Sequence, residues 1–208
     1  MKRILLFLLV MFGGISQLKG QEVNTTVDKV YVVFKTHLDV GFTDLSSVVT
    51  QRYITEFIPK ALDVSEKLRV ENTDEKYVWT TGAWLIWKYL HTASQKEIER
   101  LEAAIRRGDI VWNSVPYTVE SESMNLDLFE TCLLLSHKLD EKYGKKTIAA
   151  KMTDVPGHTR SIVAPMSRAG IRFLHIGVNP ACPIPAVPEL CRWRDTDGSE
   201  LILVYQQD

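Results

Sequence analysis

From residue 30 to residue 205, short β-type runs alternate with helical segments, and that alternation excludes most architectures. Strands separated by helices need crossover connections, which build a largely parallel sheet flanked by helices. The expected strands cover residues 30–36, 76–80, 110–113, 147–153, 172–177 and 201–205. Helical spacing of apolar residues marks 46–70, with a kink expected at Pro59. Residues 83–91 read as a short aromatic helix. Residues 94–107 open on the capping box Ser94-x-x-Glu97 and stop at Gly108. Residues 125–143 stop at Gly144, and 162–169 stop at Gly170. The fold class is therefore α/β: a mostly parallel sheet or an irregular β/α barrel flanked by helices. No internal repeat or long linker interrupts it. Residues 21–208 read as one domain.

The first twenty residues are of another kind. Lys2 and Arg3 precede an apolar run from Ile4 to about Phe12, followed by Gly13, Gly14 and a polar stretch. Residues 1–20 are expected to be a signal peptide, because the run is well short of the ~20 apolar residues of a spanning helix. No second stretch of spanning length follows, so no stable membrane insertion is expected, and the expected location is secreted or periplasmic. Loss of Lys2, Arg3 and Lys19 would make the net charge three units more negative than −1. Nothing in that balance calls for nucleic acid or an anionic membrane as partner. Cys132 sits in an apolar run, where a small buried thiol packs well. Cys182 and Cys191 are near in sequence and could pair or stay free. The chain stops three residues after its last strand, and we expect it to be the N-terminal part of a longer protein.

In folds of this class, chemistry collects at the carboxyl ends of the strands. His37 and Asp39 lie just past the first strand, two residues apart, so their side chains leave on one face. An imidazole beside a carboxylate supplies two of the ligands that a Zn²⁺-type cation needs. The alternative for the pair is an ordinary strand-end turn before Gly41. Asp154 ends the fourth strand and is followed by Pro156-Gly157-His158-Thr159, so it can be a third ligand or the cap of the next helix.

His37-Leu38-Asp39, then Asp154-Val155-Pro156-Gly157-His158-Thr159, with the order of segments between them, resemble glycoside hydrolase family 38, the α-mannosidases. The resemblance runs over residues 30–170. It includes the aromatic segment 76–87 and the glycine-containing third-strand segment with its following loop, 106–122. It implies one zinc ion held by His37, Asp39 and Asp154, with Asp154 also the catalytic nucleophile. Phe42 stands where the family has tryptophan, and Pro156 to Thr159 replace Phe-Gly-His-Ser, which marks a divergent branch. The remaining zinc-binding histidine and the acid/base carboxyl are expected beyond residue 208.

Candidates for carbohydrate binding are Phe42, Trp84, Trp112 and Tyr117 by stacking, Glu120 or Glu122 by hydrogen bonds, and His158 as a substrate contact or an orienter of Asp154. The expected function is an exported zinc-dependent retaining glycosidase hydrolysing terminal α-linked sugars. Two alternatives stay open: a non-catalytic carbohydrate-binding relative, and a metal-dependent polysaccharide deacetylase. Against the deacetylase, no second histidine stands at short ligand spacing from His37.

Overall fold

The structure is a computed structural model that describes residues 26–71, 76–155, 157–179 and 181–206. The expected signal peptide lies outside the described residues. Residues up to Val32 form one unit and Val33 onward a second. In the first, residues 26–32 are exposed, and the Lys29 ammonium sits 4.8 Å over the Tyr31 ring.

The second unit is α/β. Its strands are β1 (Phe34–Lys35), β2 (Trp79–Gly82), β3 (Ile110–Asn113), β4 (Ala149–Val155), β5 (Phe173–Val178), β6 (Leu190–Arg194) and β7 (Glu200–Gln206). They form two sheets, ordered β1-β2-β3 and β4-β5-β7-β6. Every neighbouring pair is parallel except β6–β7. Ser114 N–H donates to Ala149 O (2.9 Å), which ties the end of β3 to the start of β4. The strands then curl into an arc: Lys35 on β1 reaches His175 on β5, and Lys151 on β4 reaches the backbone beside β1.

Helices cover the outer face. They are α1 (Ser46–Arg52), α2 (Ile58–Val70), α3 (Ala83–Thr92), α4 (Gln95–Arg107), α5 (Leu126–Tyr143) and α6 (Val163–Arg168). One apolar core joins α2, α3 and α4 to the first sheet through Ile58, Leu62, Leu85, Ile86, Leu101 and Ile110. Another joins α5 and α6 to the second through Phe129, Met152, Met166, Leu174, Ile176 and Leu203. On β4, β5 and β7 the buried residues alternate with Lys151, Thr153, His175 and Gln206, which line the concave face. Among the described residues, no helix is long and apolar enough to cross a membrane.

Local chemistry explains most boundaries. Ser94 and Glu97 form the expected capping box, and Gly108 and Gly144 end α4 and α5 in the left-handed conformation. The helix expected over 46–70 is interrupted before its proline rather than at it. Tyr53–Phe57 is a π-helical turn between α1 and α2, and Pro59 falls in the first turn of α2. Proline has no N–H to give the carbonyl four residues back and crowds it, so the distortion falls on the preceding turn. β1 is shorter than expected, its ladder beginning with Phe34 opposite Trp79. β6 was not expected; its alternating Leu190-Cys191-Arg192-Trp193-Arg194 pairs antiparallel with β7. Cys132, Cys182 and Cys191 are free thiols.

Gly82 closes β2 where the chain crosses the loop after β3. A Cβ on Gly82 would stand 2.1 Å from the carbonyl oxygen of Pro116, a backbone atom that cannot rotate away. Gly82→Ala is therefore expected to cost about 1–3 kcal/mol, read as a lower urea midpoint at unchanged slope. An unchanged midpoint would mean that this crossing is looser than the structure shows.

Candidate metal centre

The chain leaving β1 carries His37 and Asp39 on the concave side, while Leu38 between them is buried in the outer core. The Tyr53 hydroxyl donates to the carbonyl oxygen of His37 (3.0 Å), which pins this segment to the π-turn. Burial and then the Asp39 charge raise the Tyr53 pKa, so the phenol remains a donor.

Asp154 arrives from β4 by a less ordinary route. The β4–β5 register runs Thr153↔Gly177 and then Val155↔Val178, so Asp154 is the extra residue of a bulge. Its φ is +66°, the one positive φ outside glycine among the described residues. Aspartate tolerates this region better than most side chains, yet the conformation still carries strain, and such strain clusters at functional sites. Without the bulge, strict alternation would send Asp154 to the face opposite Thr153; with it, the carboxylate joins His37.

One donor atom from each of His37, Asp39 and Asp154 lies within 4.8 Å of the others. His37 Nε2 is 2.8 Å from Asp39 Oδ1 and 3.6 Å from Asp154 Oδ2. Two ligands of one tetrahedral zinc ion, each at ~2.0–2.1 Å, stand roughly 3.3 Å apart, and the two distances bracket that value. Both ring nitrogens of His37 are shielded from solvent, and neither makes a hydrogen bond; the close approach of Asp39 lacks hydrogen-bond geometry. A shielded lone pair beside two carboxylates fits a divalent cation better than it fits a hydrogen-bonded cluster. The set is one imidazole and two carboxylates, donor types that a divalent cation accepts.

The cleft at this rim, about 280 Å³, is lined by the three candidate ligands together with Phe42, Tyr117, Glu120 and Asn179. Phe42 is 87% exposed and presents a free ring face. Tyr117 is half-buried, edge-on to Trp84 at 5.6 Å, so it is held rigidly and Trp84 serves as its backing. Glu120 rather than Glu122 borders the cleft; Glu122 is exposed beside Gly157. Trp112 stands elsewhere: it is buried in the outer core, and its Nε1–H donates to Asp140 Oδ1 (3.0 Å). Its role is packing between β3 and α5, not stacking on a sugar.

His158 lies behind the site. Its Nδ1 is 3.2 Å from Ser121 Oγ, and the same oxygen accepts from Thr159 N–H (3.2 Å). Burial pushes the His158 pKa down to about 4, so the ring is neutral at physiological pH. Ser121, fully buried, thus ties the loop after β3 to the loop after Asp154. Nothing in the sequence singled out Ser121. Asn179 opens the proline-rich segment expected to border the site; it lines the cleft, and its Nδ2 donates, at 3.5 Å, to the Asp154 carbonyl.

Neither a protein-family model nor a curated protein matches the sequence. Solved structures do. An α-mannosidase from Enterococcus faecalis V583 superposes with a TM-score of 0.69 at 15% identity, over 84% of this chain and 20% of the other. A protein of glycosyl hydrolase family 38 from Enterococcus faecalis gives 0.62 at 15% identity, over 84% and 18%. The chain has a glycoside hydrolase family 38-like fold. A 4-α-glucanotransferase from Thermococcus litoralis gives 0.58 at 12% identity, over 83% and 27%. The family 38-like fold is thus shared with a protein of another activity, and this chain spans about a fifth of the length of the mannosidase.

Proposed function

We propose that this chain forms part of the catalytic domain of a zinc-dependent retaining glycoside hydrolase of the α-mannosidase type, exported from the cytosol. The observation that carries the reading is the meeting of His37, Asp39 and Asp154 at one strand-end rim, made by a strained backbone at Asp154. The family 38-like fold supports the same reading.

In this reading Asp154 attacks the anomeric carbon as the glycosidic C–O bond breaks, a second carboxyl gives its proton to the departing oxygen, and the same carboxylate then takes a proton from the water that releases the sugar from its ester with Asp154, as in retaining glycosidases. The reading also requires an acid/base carboxyl and a further metal ligand in addition to His37, Asp39 and Asp154. His37, Asp39 and Asp154 would hold the zinc, which when bound would supply a Lewis acid for sugar hydroxyls. Tyr53 fixes the backbone of His37, and the Asp154 bulge aims its carboxylate. Phe42 and Tyr117 offer apolar faces to the sugar ring, and Glu120 accepts from its hydroxyls. His37 binds a cation only when neutral, so occupancy falls in acid.

The test is hydrolysis of aryl α-mannosides by the native-length protein, with and without a chelator, beside zinc titration by calorimetry. Chelation is expected to remove activity and added zinc to restore it. His37→Ala is expected to lower zinc affinity by about 10–100-fold or more. Turnover indifferent to chelator would sink the metal assignment. Zinc binding and sugar binding without turnover would point to a carbohydrate-binding relative.

A further inference from the structure

The concave face that bears His37 also bears two lysines with no acid between them. Lys35 stands two residues before His37, so it leaves the same face about 6.6 Å lower along the strand. Lys151 leaves the matching face of β4, three residues before Asp154. Its Nζ lies 3.5 Å from the carbonyl oxygen of Thr36, the residue joined to His37. Lys35 Nζ lies 3.4 Å from His175 Nδ1, and His175 Nε2 lies 3.0 Å from Gln206 Oε1. An ammonium can only donate, and so can the Nε2–H that serves the Gln206 oxygen. His175 is then the neutral tautomer with its lone pair toward Lys35. Burial first, and the Lys35 charge next, lower the His175 pKa, in keeping with a neutral ring.

Among the described residues, neither Lys35 nor Lys151 makes an ion pair with a carboxylate. Burial and the neighbouring ammonium bring Lys151 down to about 8. Like charges drawn partly out of water without a counter-charge are costly. The closest acids along the strands, Asp39 and Asp154, are the candidate cation ligands, and a divalent ion there cancels their charge. The lysine pair is then a positive patch on the concave face, next to the candidate ligands but outside the lining of the cleft itself.

We propose that Lys35 and Lys151 form an anion subsite beneath the metal centre, which receives a negatively charged substituent of the sugar: a phosphate, sulfate or carboxylate. This makes the substrate an anionic glycoside, an assignment that rests on the glycosidase reading; the anion site itself does not. The two ammonium groups and the cation would grip different parts of one sugar, with its neutral hydroxyls at the rim and its charge below.

The test uses the protein at low salt with zinc added, which neutralises Asp39 and Asp154, and inorganic sulfate as probe, followed by calorimetry. One sulfate per chain is expected, with affinity falling as sodium chloride rises. Lys35→Gln and Lys151→Gln should each weaken it about tenfold, the worth of one charged hydrogen bond, whereas Asp154→Asn should keep it. Should a variant not fold, NMR of the unmodified protein with ¹³C-labelled lysine replaces it: the Lys35 and Lys151 ε-carbon resonances should move with sulfate and the surface lysines should not. A second arm compares a hexose phosphate with the same hexose as inhibitors of aryl glycoside hydrolysis. Stronger inhibition by the phosphate, lost in Lys151→Gln, assigns the site to the substrate; equal inhibition restricts it to free anions and overturns the anionic-glycoside assignment. No sulfate binding, or binding indifferent to both lysines, overturns the subsite. Sulfate binding without chelator-sensitive hydrolysis would instead sink the glycosidase reading and leave the subsite standing.

Discussion

Asp154→Asn is expected to abolish glycoside turnover, by roughly 10³-fold or more, in a protein as stable as the parent. The expected size reflects two losses at once. The nucleophile is gone, and a charged ligand is replaced by a neutral amide, each worth several powers of ten in comparable sites. Stability should not suffer, because the Asp154 side chain is 41% exposed and packs into neither apolar core. Its φ of +66° also suits asparagine, which with aspartate and glycine enters the left-handed region most readily. Asp154→Ala separates backbone from chemistry: it should be equally inactive and less stable by about 1–2 kcal/mol, because alanine pays the full cost of that conformation. The measurements are initial rates on an aryl α-mannoside and the melting temperature of each variant. Turnover by Asp154→Asn above a tenth of the parent would remove Asp154 from both roles.

How far the site was legible depends on which physical signal each residue leaves. His37 and Asp39 were readable because strand alternation is a fixed period of two and needs no tertiary information. Asp154 was readable as a strand-end carboxylate, but not its aim. The bulge that turns it inward is set by pairing with β5, and a left-handed aspartate leaves no mark in composition. Trp112 misled for the complementary reason. Its residue type suits sugar stacking, while its partner Asp140 lies 28 positions away on α5, and only the packed structure brings them together. β6 was hidden because its five residues alternate around two arginines beside a proline-rich loop, and an edge strand of that composition resembles a turn region. The lysine pair was invisible in sequence, since Lys35 and Lys151 are 116 positions apart and meet only when the strands curl. The helix caps, in contrast, were local, and Ser94, Gly108 and Gly144 behave as their chemistry dictates.

Asp109→Ala is expected to lower stability by about 3 kcal/mol without touching the cleft, an effect that probes what holds β3 in place. Asp109 is 2% exposed at the entry to β3, where its backbone oxygen also accepts from Trp79 N–H at 2.8 Å. Its carboxylate accepts from Arg69 Nε at 3.0 Å to each oxygen, from the Arg69 terminal nitrogen, and from Arg107 Nε at 2.9 Å. Removing one partner of a buried ion pair costs more than any surface pair contributes. The value stays at the low end because the guanidinium side chains, 39% and 35% exposed, recover hydration once the carboxylate is gone. Burial pushes the Asp109 pKa up, but the hydrogen bonds from Arg69 and Arg107 outweigh it and hold the group below 3.8. A folded pKa below the unfolded value means stability that is fully present above about 3.8 and is lost as pH falls through the folded value. The gap between parent and Asp109→Ala should therefore be constant from about pH 5 to 8 and narrow below about 3.8, as the parent loses its ionised carboxylate. Urea titrations across that range measure it, with Arg69→Met as the second corner of a double-mutant cycle. In the Arg69→Met background the cost of Asp109→Ala should shrink, because part of the interaction is already gone. A gap that widened in acid would mean that the carboxyl is protonated in the native protein, and that β3 is anchored by the backbone bond to Trp79 instead.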